Sequence, residues 1–346
     1  MSYELSVTSG TDKWIIPYQT ISLTDELNQG VYGEVSINYL AIAKYAAKFG
    51  ITPDDIFASD YAEWQLYKDT SLLYAGVFAH RKISGSKAQP TAYSISLVGF
   101  EYLLKSRYTG NAGVWKYTNT DSADIAWGMI NQSQVQTNGN MGITRGLHPV
   151  TINRDKTNRY DQLLDAIISM SNNAKYNGYD WEITPQKVFN IYYPNKGQTL
   201  SNLVLDDFNI ISWTNDRDIT VNLANKVIVL GAGYEDSIIT ETVENATSQA
   251  SWGLQETTLS EKDTTVSANL TAKGNLLLGN KATPKDIVSV RISDRSPNIL
   301  SYNVGDTLPV KISDIGFSKN LRIDKRTLQI ETSGEATVDL SFQYAA

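Results

Sequence analysis

The chain has 346 residues, with 30 Lys and Arg against 37 Asp and Glu, two His and no Cys; at ~100–200 residues per domain that is room for two or three domains. The absence of Cys excludes a disulfide framework, thiol catalysis and Cys-built zinc sites, and it fits assembly in a reducing compartment. The net charge of −7 argues against a surface built to grip nucleic acid, the opening MSYELSVTSG lacks the marks of a signal peptide, and no apolar run approaches the ~18 residues of a membrane span.

Twenty Tyr and seven Trp in a Ser-, Thr- and Asn-rich background suit half-buried strands. In the first hundred residues Val35, Ile37 and Tyr39 alternate with Ser36 and Asn38, and Tyr93, Ile95 and Leu97 with Ser94 and Ser96. This two-residue period predicts strands with one face in a core. EWQLY (63–67) and LLYAGVF (72–78) flank the polar turn 68–71 and form an expected hairpin. Residues 41–50 extend a strand or form a short helix, closed by Gly50 and Pro53, and the 93–98 strand runs into helical spacing at 99–104.

The middle section changes period. Asp121 or Ser122 caps a helix carrying Ile125, Met129 and Ile130. A second helix is predicted over 159–172, with Tyr160, Leu163, Leu164, Ile167 and Ile168 on one face and Asn158 as its cap. Strands follow at 179–183 and 187–193, giving a small α+β unit. The last third returns to strands: Ile219, Val221 and Leu223 alternate, and Val227–Leu230 is a continuous apolar run. Val304, Leu308, Val310 and Ile312 begin a meander in which Asp324–Thr327 is a polar break, and Val338, Leu340 and Phe342 end it. That pattern fits a small antiparallel barrel or sandwich. Residues 234–302, polar and with a helix near Val266–Leu278, read as an inserted lobe. No low-complexity tract or short tandem repeat is visible.

None of the candidate chemical motifs survives scrutiny. Gly231-Ala232-Gly233 lacks the third glycine of a dinucleotide turn and no βαβ unit surrounds it, so a plain turn is expected. His80 and His148 have no accompanying nucleophile elbow or zinc-protease pair. Asp54-Asp55, Asp206-Asp207 and the helical pair Asp161/Asp165 read as turn, helix-start and solvated-face carboxylates. Lys105, Arg107 and Tyr108, with Trp115, Lys116 and Tyr117, interleave bases and rings as a single-strand binder does, yet the run is short and a helix end accounts for it better. No catalytic, cofactor-binding or metal-ligating residue is assigned, and no cofactor is expected. Such a chain is expected to bind and build.

The order of parts resembles the tail hub (baseplate hub) proteins of tailed bacteriophages. The resemblance rests on the hairpin LYAGVF (73–78), YSISLVGFEYLLKSR (93–107), YDWEI (179–183), NLANKVIVLGAG (222–233), the S-x-x-W-G-L-x-E-like run around Trp252, VGDTLPVKI (304–312) and LRIDKRTLQI (321–330). It implies a mainly β fold with α+β segments: two tube-type antiparallel β-barrel domains, a small α+β domain between them and a lobe inserted in the second barrel. The expected domains are 1–107 (first tube-like domain), 108–206 (α+β domain), 207–233 with 303–346 (second, split tube-like domain) and 234–302 (inserted lobe). It further implies a non-enzymatic homotrimeric ring at the virion tail tip, assembled in the host bacterial cytoplasm, with no membrane anchor. Partners would be a distal tail protein, the tail tube and tape-measure protein, and tip or fibre proteins, with DNA only in transit during ejection. Relatives that cleave cell walls do so through a C-terminal extension, for which the sequence after the last strand leaves no room. A hexameric distal tail ring protein and a particle-associated carbohydrate-binding or -cleaving β protein are the alternatives.

Overall fold

The computed structural model describes residues 2–9, 12–57, 62–87, 90–110, 113–171, 178–218, 223–262 and 264–344. The chain opens with β1 (Tyr3–Ser9), β2 (Asp12–Ile16), β3 (Thr20–Glu26) and β4 (Gly30–Asn38), then α1 (Tyr39–Ala47) and α2 (Pro53–Ile56). β5 (Glu63–Lys68), β6 (Ser71–Ser84), β7 (Ala92–Gly99) and α3 (Tyr102–Lys105) follow. An α+β stretch holds β8 (Trp115–Asp121), α4 (Ser122–Gln134), β9 (Thr144–Arg145), β10 (Asn153–Asn158), α5 (Leu163–Ser171), β11 (Asp180–Ile183) and β12 (Val188–Tyr192). After β13 (Ile210–Asp218) come β14 (Lys226–Leu230), β15 (Thr240–Glu244), α6 (Ala246–Trp252), β16 (Glu256–Ser260) and α7 (Ser267–Lys281). β17 (Lys285–Ser293), β18 (Thr307–Ile312), β19 (Phe317–Ile330) and β20 (Ala336–Tyr344) close it.

The fold is mainly β and its sheets are largely antiparallel. Contacts divide the chain into a larger unit, built from residues up to 171, 179–213 and 289 onward, and a smaller unit centred on 214–288. In the larger unit a twelve-stranded sheet runs in the order β13-β17-β20-β19-β3-β4-β7-β6-β5-β1-β2, with β18 also on β19. The expected hairpin at 63–78 is β5–β6, and the choice left open at 41–50 falls to helix because Asn38 accepts the Ala41 N–H and starts α1. Asp121 caps α4 through the Ala123 N–H. α4 and α5 pack Ile125, Met129, Ile130, Ile167 and Met170 against Trp181 and Phe189, which fills the α+β core.

The twelve-stranded sheet contains a repeat. β4, β5, β6 and β7 have nine, six, fourteen and eight residues; β17, β18, β19 and β20 have nine, six, fourteen and nine. Their pairings coincide over most of their length, apart from a bulge after Leu66 in β5–β6 that β18–β19 lacks. His80↔Ser96 matches Lys325↔Ser341, Trp64↔Gly76 matches Leu308↔Leu321, and Glu34↔Ser96 matches Ser289↔Ser341. Both fourteen-residue strands carry a bulge at the matching place, between Phe78 and His80 and between Ile323 and Lys325. β3 precedes the first set as β13 precedes the second. The two sets are joined in one sheet, because β3 pairs with the second half of β19 from Lys325↔Glu26 to Ile330↔Ile21.

Four expectations need correction. The 159–172 helix begins only at Leu163. Asn158 ends β10, and Tyr160 stands at φ 62°, since Tyr160 N–H to Thr109 O (2.7 Å) and Thr109 N–H to Asp161 O (2.8 Å) hold the preceding turn. These tertiary hydrogen bonds override helical periodicity. Asp324–Thr327 is no break: it lies inside β19, where the bulge turns Arg326 inward. The Val227–Leu230 run does not join the late strands. It is the centre of the smaller unit's sheet, antiparallel to β15 and parallel to β16. The lobe therefore starts near 214 and ends near 288, so β13 and β17 each run across a boundary, with Ile210–Trp213 and Ser289–Ser293 in the larger unit. Of the expected 219–223 alternation, residues 219–222 lie outside the described residues.

The smaller unit has its own core of Val227, Val229, Val243, Leu270 and Leu278. Gly274 lets α7 approach this sheet, since a Cβ there would come within 2.8 Å of Val229 and 2.9 Å of Val243. In the larger unit buried charges tie distant segments together. Lys68, fully buried, pairs with Asp294 at 3.1 Å and donates to Asp294 O and Asn298, while the Tyr3 hydroxyl donates to Asp294 at 2.8 Å. Arg326 pairs with Asp25 and donates to the Tyr302 carbonyl at 2.6 Å. Asp180 accepts from Asn28 Nδ2, Lys196 N–H and Arg322. Breaking one such buried pair is far costlier than the pair's net worth, so these contacts lock the arrangement.

Candidate functional site

Six successive strands of the large sheet, β17 through β7, have a buried core side and a mostly polar second side, and β13 and β6 flank them to make eight. The core side carries Ile292, Leu340, Leu328, Leu23, Val35 and Ile95, all essentially buried. Because strand neighbours alternate faces, the registers place the intervening residues in rows on the second side. One row reads Arg291, Asp339, Thr327, Thr24, Tyr32 and Val98. The next reads Ser293, Thr337, Gln329, Ser22, Glu34, Ser96 and His80, and a third continues through Thr20, Ser36, Ser94 and Lys82.

These rows make a lattice of hydroxyls and carboxylates. The Thr24 and Thr327 hydroxyls meet at 2.9 Å across the β3–β19 junction, and Ser94 donates to Glu34 at 2.5 Å. Arg291 makes a two-pronged bond to Asp339 at 2.7 and 2.8 Å, and Gln329 adds a third donor to the same carboxylate. Lys325 pairs with Glu26 at 3.0 Å, and the Tyr32 hydroxyl donates to Glu26. Asp339 and Glu26 hold the Arg291 and Lys325 cations in the charged form, raising both pKa values. Arg291 and Lys325, already satisfied by carboxylates, have little to offer a phosphate, which leaves Lys82 at the β6 end as the lattice cation with no carboxylate partner among the described residues.

The residues singled out from sequence are scattered by the structure. His80 is exposed on β6. His148 meets Trp127 edge-on and Phe189 at a tilt, its Nε2 3.1 Å from Ala123 O, and burial lowers its pKa. Asp54 pairs with Arg81 at 2.9 Å, and Asp55 closes a capping box with Thr52, whose bonds lower the Asp55 pKa. Asp161 precedes α5, so it does not share a helix face with Asp165. Asp206 and Asp207 accept the Phe208 and Ser313 N–H groups. The Gly231 and Ala232 N–H groups are spent on Ile239 and Thr264 carbonyls, leaving no phosphate cradle there. Trp115 and Tyr117 pack on the α+β core, while Lys116 points outward and Lys105 ends α3. Among the described residues, no group of three His, Asp or Glu side chains is placed to hold a metal ion. No helix among them is long and apolar enough to cross a membrane.

What sequence reasoning passed over is the polar lattice. Its only signal was the run of small hydroxyl residues opposite the apolar positions of β3, β4 and β7.

Comparison with known proteins agrees with this architecture. No curated protein sequence matches the chain. Among solved structures it is similar to a prophage MuSo2 tail protein from Shewanella oneidensis, with TM-score 0.70 and 11% identity over 99% of this chain and 98% of that one. A tail protein from Neisseria meningitidis aligns with TM-score 0.64 and 11% identity over 100% and 97%. The prophage tail protein gp18 from Listeria monocytogenes gives 0.58 and 13% over 100% and 96%. The fold is thus that of tail proteins, as the layout of the sequence implied. A family model described as YQBQ-like matches residues 64–343, and the chain belongs to that family.

Proposed function

We propose that this chain is a non-enzymatic, structural hub of a bacteriophage tail: three copies form a ring that closes the tail tube at the tail tip. The ring joins a distal tail protein and the tape-measure protein on one side to tip or fibre proteins on the other, and DNA passes through it on ejection. The observation that carries this reading is the polar lattice on a continuous sheet built from two matching sets of strands. The twofold internal repeat is what lets a trimer continue a sixfold tube. Eight strands at ~4.8 Å span about 38 Å, so three copies enclose a ring roughly 37 Å across at the backbone before strand tilt widens it. A double helix fits through such a ring, and hydroxyls with mostly paired cations would let it slide. Whole-chain likeness to tail proteins supports the same reading.

The test is an image of the assembled particle, which should show three copies of this chain at the tip with the lattice facing the lumen. Six copies would make it a distal ring protein. A monomer on the outer surface, or a lumen rich in unpaired Lys and Arg, would sink the hub reading. As a functional check, Glu34→Lys with Ser22→Lys should leave assembly intact and slow DNA ejection.

A further inference from the structure

The repeat leaves one position of the sheet unfilled. In the second set, β19 pairs with β18 along its first half, through Phe317–Arg322, and with β3 along its second half. In the first set, β6 pairs with β5 only as far as Glu63↔Val77. Its second half, residues 79–84, pairs with β7 on one side, and its other edge is open among the described residues. At the far end of the same eight strands, β13 pairs with β17 and, among the described residues, has no strand beyond it. Open edges of this length template further pairing.

The residues at these two edges match those at the filled junction. β3 reads Ile21-Ser22-Leu23-Thr24-Asp25-Glu26 and β13 reads Ile211-Ser212-Trp213-Thr214-Asn215-Asp216. His80-Arg81 occupy the places of Lys325-Arg326, the pair that meets Glu26 and Asp25. Burial shows what is missing. Leu328 and Ile21, inside the filled junction, are 0% and 1% exposed; their counterparts Ile83 and Ile211 are 49% and 59% exposed.

We propose that the 80–84 edge of β6 receives β13 of a neighbouring copy, antiparallel, in the register in which β19 receives β3. Ile83 then faces Trp213, Ser84 faces Ser212, and His80 faces Asp216. The occupant is a second copy of this chain, because β13 carries both the apolar and the acidic positions that the junction requires. Its own β13 lies at the opposite end of the eight strands. A contact between two different edges is head-to-tail, the kind that builds a ring when its rotation closes, as the ring reading requires. The proposal rests on the ring reading and names the surface that makes the ring.

The chain has no Cys, so cross-linking starts from a silent background. Directly opposed strand residues have Cβ atoms ~4.5–5.5 Å apart, near disulfide reach. The full-length double variant Ile83→Cys/Trp213→Cys, mildly oxidised, should give a non-reducing ladder that ends at covalent trimer, while each single variant should not. Ile83→Lys alone, at an exposed position that does not threaten folding, should weaken self-association at least ~tenfold, read by sedimentation. A trimer that neither cross-links nor responds to Ile83→Lys overturns the edge assignment and leaves the ring standing. A chain that is monomeric in solution and in the particle overturns both.

Discussion

Glu101 is the group whose replacement tests the interior most sharply. It lies just beyond β7 at the start of α3, 5% exposed, beside a cavity of about 100 Å³ that Asp25, Tyr74, Trp181 and Arg326 also line. Two glycines make room for it: a Cβ on Gly30 would lie 2.5 Å from its Cδ, and one on Gly99 2.1 Å from its Oε2. Burial raises its pKa to about 8, helped by repulsion from Asp25 and opposed by hydrogen bonds from backbone N–H groups, those of Val31 and Ile183 among them. The unfolded carboxyl titrates near 4.5. The folded state therefore holds a proton that the unfolded state has released between these values. Its contribution is complete below about pH 4.5 and is lost as pH rises towards 8. At 1.36 kcal/mol per pKa unit, the gap corresponds to at most about 5 kcal/mol across that window. Glu101→Gln keeps the shape and cannot ionise. Urea unfolding of both proteins at pH 4.5 to 9 should show near-equal stability at the acid end and a Gln advantage of a few kcal/mol at pH 8.5. A difference curve that stays flat over this range would refute the reasoning.

The other predictions concern the buried ion pair, the lobe and the absence of hydrolysis. Lys68→Met leaves Asp294 buried without its cation and should cost about 3–5 kcal/mol in urea unfolding; a loss under about 1 kcal/mol would show the pair to be dispensable. Since β3 and β4 are joined by three residues, 27–29, and β13 is the sheet neighbour of β17, replacing 219–284 with a short Gly/Ser turn should leave the larger unit folded, with near-native strand content by circular dichroism. Loss of cooperative unfolding in that variant would contradict the division into units. Purified protein should leave peptidoglycan and common polysaccharides intact over long incubation; cleavage abolished by changing one carboxylate or histidine would establish an enzyme instead.

Local rules carried the sequence a long way. Period-two alternation located β4 and β7, the polar turn after Lys68 located the β5–β6 hairpin, and Asp121 marked the start of α4, because each depends on residues within a few positions of one another. The sequence also held the likeness of Ile21–Glu26 to Ile211–Asp216, but two six-residue stretches 190 positions apart that share three identities carry no weight until pairing shows that both strands occupy the same place. Tertiary structure decided the rest wherever a distant partner outweighed the local preference. Hydrogen bonds to Thr109 delayed α5 to Leu163, and a bulge kept Asp324–Thr327 inside one long strand with Arg326 buried on Asp25, some three hundred residues away in the chain. The apolar run of β14 fitted either of two sheets, and only its ladders to β15 and β16 assigned it to the lobe. The polar lattice was undetermined for the same reason: each strand fixes which of its residues face away from the core, but the rows across the sheet exist only once strand order and register are set.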